Sequence, residues 1–135
     1  MSGVRGDGPR PRRGEVWWME PDPVRGHEQG GRRPAVVVSV DRFNRSRIDL
    51  VVVCPLTRSH TPVSLHVSID PPEGGLRDRS HVLVEHVRSI SVERLGTRIG
   101  RLTPRTTALI EDRLGRILGI RAPRGGDLTG SPADH

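Results

Sequence analysis

The sequence has no lysine and no tyrosine, a single cysteine, and only two tryptophans and one phenylalanine in 135 residues. A lone thiol, Cys54, cannot close an internal disulfide. Its place inside an apolar run reads as a small buried residue rather than a reactive thiol, and a reducing cytoplasm is the compartment expected. So few rings argue against an RNA-binding sheet that works mainly by stacking bases. No apolar run is long enough to span a bilayer, and the amino-terminal residues lack the apolar stretch of a secretion signal. The six histidines, at positions 27, 60, 66, 81, 86 and 135, fit neither an HExxH nor a paired-cysteine spacing, so no metal or other cofactor is expected. The run GHEQGG at 26–31 lacks the lysine and the strand-then-helix context of phosphate-binding and dinucleotide-binding loops.

What the chain has instead is arginine. All 22 basic residues are arginines, against 16 acids, for a formal net charge of +6 and a pI near 11.3. That balance points to a polyanion, most simply a nucleic acid. Arginine grips phosphates with a planar fork of donors and stacks on exposed bases, which lysine does not. A GC-rich genome gives the same arginine bias without selection for function.

The length is that of one domain. Residues 1–12 are glycine, proline and arginine with little to bury and read as a flexible basic arm; 121–135 read as a flexible tail. Between them, over 13–120, apolar residues alternate or form short continuous runs. Strands are expected at 15–19, 35–40, 50–56, 64–69 and 81–84, with shorter ones near 87–90 and 97–101. Such spacing predicts a small barrel or curled sheet. One helix is well signalled: Thr103 can cap it, Pro104 suits its first position, and Gly119 stands where a C-terminal cap belongs. Thr107, Ile110, Leu114, Ile117 and Leu118 give it an apolar stripe. Gly115 inside it costs about 1 kcal/mol relative to alanine. A helical turn is expected at 91–95.

The segment 26–57 is the most informative. GHEQGGRRP runs into AVVVSV, and a second apolar run, LVVVCPLT, ends on Thr57. The ring of Pro34 steers Arg33 into an extended conformation, which aims a guanidinium out of a glycine-rich loop. That group suits the stabilisation of a charged phosphorane but not proton abstraction, because it does not deprotonate in the ordinary pH range. The competing readings are a surface arginine paired with an acid and a turn threonine bonded to its own backbone. Glu28, Gln29 and Arg32 share the loop and could read base edges or contact phosphates, or could simply be solvated. In SHVLVEHVR, at 80–88, valines alternate with polar residues, and His86 could accept a proton near neutrality or sit bonded to backbone. Trp17 and Trp18 must face opposite sides of a strand. Phe43, read as a loop residue, could stack a base or pack the loop.

Five segments in register carry a resemblance: RGEVWW at 13–18, GHEQGGRRPAVVVS at 26–39, VVVCPLT at 51–57, DRSHVLVEHVRSI at 78–90 and RIGRLTP at 98–104. In order and spacing these residues resemble the MazF/PemK family of toxin endoribonucleases. The resemblance implies a mainly β, SH3-like barrel with a C-terminal helix, usually a homodimer. It implies a metal-independent, sequence-specific endoribonuclease that cuts single-stranded RNA through 2′-hydroxyl attack, leaving a 2′,3′-cyclic phosphate and a 5′-hydroxyl. Arg33 and Thr57 match the family's catalytic pair. Glu28, Gln29, Arg32, His66, Ser80, Glu85, His86 and Arg88 fall at positions expected to bind RNA; relatives often carry glutamine where His86 stands. The implied partners are RNA and a cognate MazE-like antitoxin with an acidic flexible tail, with no membrane involved. Two rivals differ in class. One is a gyrase-targeting toxin on the same barrel, which grips its partner through the C-terminal helix. The other is a non-catalytic RNA-binding module.

Overall fold

A computed structural model of the chain describes residues 10–21, 31–59 and 65–120. The fold is mainly β. Its strands are β1 (Glu15–Met19), β2 (Arg33–Val37), β3 (Leu50–Thr57), β4 (Val67–Ile69), β5 (Ser80–Val82), β6 (Arg88–Ser91) and β7 (Leu95–Arg101), with helices α1 (Asp41–Asn44) and α2 (Pro104–Leu118). They form one antiparallel sheet in the order β4-β5-β3-β2-β1-β7. Strand β6 pairs with Leu50 to Val53 of β3, while β5 takes Leu56 and Thr57 of the same strand. The long β3 is therefore the spine, and the sheet curls around it into a half-barrel.

Alternation along the strands explains the burial. Val36, Cys54 and Leu56 face one apolar cluster, with Val16, Val67, Ile69, Val82 and Leu102. Ala35, Val37, Val51 and Val53 face the other, with Met19, Ile90 and Val92. Successive residues point to opposite faces, so both faces of β2 and β3 are covered, as their near-continuous valine runs require. Cys54 is buried, and its thiol is pushed up to about 12, first by burial and then by the negative charge of Glu85. It is a core residue.

Helix α2 closes the first cluster through Ile110, which is 1% exposed, with Leu114 packed beside it. The expected stripe is buried only that far, since Ile117 and Leu118 are 38% and 61% exposed. Thr103 caps the helix by accepting from the Thr106 amide, and Gly119 ends it at φ 71°. Gly115 has a reason of its own. The Ile120 amide donates back to the Gly115 carbonyl, and a Cβ on Gly115 would lie 2.5 Å from the Ile120 carbonyl oxygen.

Strand boundaries shift from those expected. Strand β2 starts at Arg33 and stops at Val37, because Val38 and Ser39 both turn to the Val52 carbonyl and Ser39 binds Asn44. Residues 41–44, expected as loop, make the single turn of α1, which carries the half-buried Phe43 and the buried Asn44. The strand expected at 81–84 ends at Val82, and Val84–His86 forms a 3-10 turn. The helical turn expected at 91–95 is the 3-10 turn Val92–Arg94, capped by Ser91. Of the basic arm, residues 1–9 lie outside the described residues. Arg10 to Arg12 are tied down, with Arg10 paired to Asp49 and the Arg12 amide donating to Glu15. The tail 121–135 also lies outside them. No helix of the described residues is long and apolar enough to cross a membrane.

Candidate active site

Two strands bring Arg33 and Thr57 together. The β2–β3 register pairs Ala35 with Pro55 and Val37 with Val53. Each pair sums to the same number, and extending that register by two residues sets Arg33 opposite Thr57. Directly opposed residues share a face of the sheet. Both side chains line one cleft of about 740 Å³, with Trp18, Arg32, Arg58, Arg77, Asp78, Ser80 and Arg98 among its other walls. Arg33 is exposed and makes no ion pair among the described residues. The reading of it as half of a surface ion pair therefore does not apply there.

Thr57 stands where β3 leaves the sheet. Its hydroxyl oxygen accepts from the Ser59 amide at 3.1 Å. The local turn bond anticipated from sequence is therefore present. It also orients the hydroxyl: with a lone pair engaged by the backbone, the O–H remains available to donate outward.

The walls of the cleft are basic. The Arg32 guanidinium lies over the Trp18 ring, 4.4 Å from its centroid, a cation–π stack that holds Arg32 beside Arg33. Of the two tryptophans, Trp18 faces this cleft. Trp17 packs against the second core cluster and donates its Nε1–H to Glu15. Glu15 is only 7% exposed and is satisfied by three donors, namely Trp17, the Arg12 amide and Nε of Arg98 at 3.0 Å. That ion pair fixes Arg98 on the cleft wall. Beside it, the glycine pair Gly74 and Gly75 adopts positive φ, and a Cβ on Gly75 would strike the Ile99 carbonyl. Only glycine allows that turn to pack this close to β7, and it delivers Leu76, Arg77 and Asp78 to the rim.

Arg33 also borders a second cleft of about 470 Å³, with Gly31, Pro55, Glu85, His86 and Arg88 in its walls. The turn Val84–His86 is anchored there by His66. The His66 Nε2–H donates to Glu85 Oε2 at 2.8 Å, while His86 Nε2 lies 3.8 Å from the same oxygen. Partial burial pushes the Glu85 carboxyl up, but the hydrogen bond from His66, a backbone bond and the two histidines outweigh it and hold the group below its ordinary value. His66 is therefore a support for Glu85 rather than a wall of either cleft, and its buried Nδ1 has no hydrogen-bond partner among the described residues.

The expected residues thus divide cleanly. Arg32, Thr57 and Ser80 line one cleft, Glu85, His86 and Arg88 the other, and Arg33 belongs to both. Glu28 and Gln29 lie outside the described residues. Sequence reasoning missed Arg58, Arg77 and Arg98 as cleft residues, and it expected one of the two tryptophans in the core and the other at a subunit contact or stacking surface without choosing between them. The charged run RDRS at 77–80 was the one local signal for Arg77, whereas Arg98 carries none, since its place depends on a register shift between β1 and β7. Among the described residues, no group of three or more His, Cys, Asp or Glu side chains is placed to hold a metal ion.

A family model described as a PemK-like, MazF-like toxin of type II toxin-antitoxin systems matches residues 12–118. The chain is 37% identical over 108 residues to endoribonuclease MazF9 of Mycobacterium tuberculosis, covering 76% of this chain and 92% of that one. It is 34% identical over 94 residues to endoribonuclease EndoA of Bacillus subtilis, covering 67% and 79%. Its fold superposes on MazF from Deinococcus radiodurans with a TM-score of 0.70 and 30% identity, over 84% of this chain and all of that one. A MazE–MazF complex from the same organism gives a TM-score of 0.67 at 26% identity, again over 84% of this chain. The chain belongs to the family of PemK-like, MazF-like toxins of type II toxin–antitoxin systems.

Proposed function

We propose that this toxin is an endoribonuclease that cuts single-stranded RNA at a short sequence without a metal ion, leaving a 2′,3′-cyclic phosphate and a 5′-hydroxyl. The activity at its coarsest follows from relatives named as endoribonucleases, one of them 37% identical. The observation that carries the finer reading is the convergence of Arg33 and Thr57 on one basic cleft. Arg33 offers two parallel donors to the phosphoryl oxygens as charge builds on them. Thr57 donates its hydroxyl hydrogen to one of those oxygens and fixes the phosphate in line with the 2′-hydroxyl. Arg32 and Ser80 hold the chain on the Thr57 side, Glu85, His86 and Arg88 on the other, and Glu28 and Gln29 contribute to base choice from the adjoining loop. A single strand is required because base edges and a 2′-hydroxyl free to align are accessible only outside a helix.

The toxin would work as a homodimer in the cytoplasm and be silenced by a MazE-like antitoxin, as the neighbouring MazE–MazF complex suggests. An acidic flexible segment competes naturally for arginines arranged to hold a polyanion.

The test is incubation of the purified chain with unstructured RNA in EDTA, followed by mapping of the cut ends. Cuts at a recurring short motif are expected, with Arg33→Ala slowing cleavage about 100- to 1000-fold. Full cleavage by Arg33→Ala or Thr57→Ala proteins would remove the assigned roles. Binding without turnover would favour an RNA-binding module, and gyrase-dependent DNA breakage with RNA intact would favour the other toxin class.

A further inference from the structure

The nuclease reading leaves one step without an agent: no group so far accepts the proton of the 2′-hydroxyl. Arg33 stays charged in the ordinary pH range and Thr57 is a neutral alcohol, so neither serves. The geometry points to His86 as the catalytic base, working from the second cleft while Thr57 works from the first; this deepens the function proposed above and rests on it.

Three observations carry this assignment. Arg33 borders both clefts, with Thr57 in the walls of one and His86 in the walls of the other, so a phosphate held by its guanidinium can be approached from either cleft. Attack on phosphorus places the entering and departing oxygens on opposite sides, and the proposal assigns one cleft to each. Next, His86 is available: its side chain is 58% exposed, and no hydrogen bond to either ring nitrogen is found among the described residues. The reading of His86 as a partly buried histidine bonded to backbone does not hold. Finally, the carboxylate beside it is unsuited to be the base and suited to support one. Glu85 accepts from His66 at 2.8 Å, which occupies the oxygen nearest the ring, and its negative charge 3.8 Å from His86 Nε2 offsets the positive charge that the ring gains. Asp78, the other acid, lies on the Thr57 side near Arg58. Among the described residues, the charged groups that face His86 are Glu85 from its own turn and Arg33 and Arg88 from β2 and β6; His66 reaches it only through Glu85.

The step balances as follows. The O2′–H bond breaks and its proton passes to the imidazole. The freed O2′ lone pair forms the new P–O2′ bond, and the P–O5′ bond breaks. O5′ leaves with that electron pair and takes a proton from water in the open cleft, while the imidazolium returns its proton to solvent. His66 is a positioning residue that holds the carboxylate.

The experiment is single-turnover cleavage of a single-stranded oligonucleotide carrying a mapped cut site, by wild type and His86→Gln, from mildly acidic to mildly basic pH. Binding is measured separately with the same oligonucleotide carrying 2′-hydrogen at the cut. Wild type should lose rate about tenfold per pH unit on the acid side. His86→Gln should be slower by roughly 100- to 1000-fold, should lose that acid limb, and should bind the uncleavable strand within about twofold. A second substrate with sulfur in place of O5′ separates base from acid, because thiolate leaves without a proton; the His86→Gln deficit should keep its full size. The assignment is overturned if His86→Gln cleaves within a few-fold of wild type, keeps the acid limb, or owes its loss to weaker binding. It is overturned equally if the deficit vanishes on the sulfur substrate. A wild-type protein that cuts no RNA overturns the nuclease reading itself, and the role of His86 with it.

Discussion

At the scale of single residues, the proposed cleavage rests on two side chains whose chemistry differs in kind. Arg33 contributes charge and a two-pronged geometry, so Arg33→Lys should keep the charge yet lose most of the rate, because an ammonium is a point donor without the fork. Thr57 contributes one oriented O–H. Thr57→Ser should cleave within a few-fold of wild type. Thr57→Val, which keeps the shape and removes the donor, should be slower by roughly 10- to 100-fold, the scale of one hydrogen bond to a charged group. Single-turnover rates decide it, and equal losses for serine and valine would remove the donor role. That these two residues share a cleft was anticipated through the family resemblance rather than from either residue alone, since an exposed arginine before proline and a threonine closing an apolar run are each ordinary. Arg98 was not anticipated. It belongs to the cleft only because Glu15, buried and three times hydrogen-bonded, turns it there, and no local pattern announces a partner 83 positions away.

At the scale of elements, β1, β3 and α2 were readable because their signals are local: short apolar runs between breakers, a capping threonine, a proline at the first helical position. The single turn of α1 and the 3-10 turn Val84–His86 were not, being too brief to show a period and fixed by contacts such as Ser39 with Asn44, whereas the turn at Val92–Arg94 was anticipated. Gly115 shows how a local rule fails. Propensity alone makes alanine the better helix residue by about 1 kcal/mol, yet the returning Ile120 carbonyl occupies the space its methyl needs. Gly115→Ala should therefore lower the melting temperature; a rise would mean the C-terminal cap contributes nothing. The opposite end of α2 is held by Glu73, whose Oε2 accepts from the Thr103 amide and hydroxyl. Burial pushes that carboxyl up, but bonds from Thr106 and Thr103 outweigh it and hold it below its ordinary value. A lowered folded-state value means the support is complete above the ordinary carboxylate range and is lost as pH falls through the lowered one. Glu73→Gln should melt lower near neutrality by the equivalent of about 1 kcal/mol, since the site is part exposed. Its deficit should shrink on acidification. A deficit independent of pH would show that the charge plays no part.

At the scale of the whole molecule, the net charge of +6 matters less than where it is left unmatched. Arg10, Arg13 and Arg79 each lie within 3.3 Å of an acid, on Asp49, Glu111 and Asp70. The larger cleft gathers Arg32, Arg33, Arg58, Arg77 and Arg98 around Asp78, the one acid in its walls among the described residues. Arg98 answers to Glu15, and Arg58 reaches Asp78 at 3.5 Å with both side chains well exposed, which makes it a weak pair. Arg33 and Arg77 have no ion-pair partner among the described residues. A strand that places three phosphates on this surface should show a log–log salt slope of about −2, since each contact with a single strand contributes about −0.7. Arg77→Ala, on the rim and outside the reacting pair, should weaken binding of cognate and scrambled RNA alike and reduce the slope by about 0.7. Titrations at several salt concentrations with an uncleavable strand measure both. A slope unchanged by Arg77→Ala would place the RNA elsewhere. A loss confined to the cognate strand would make Arg77 a reader of bases rather than a counterion to the backbone.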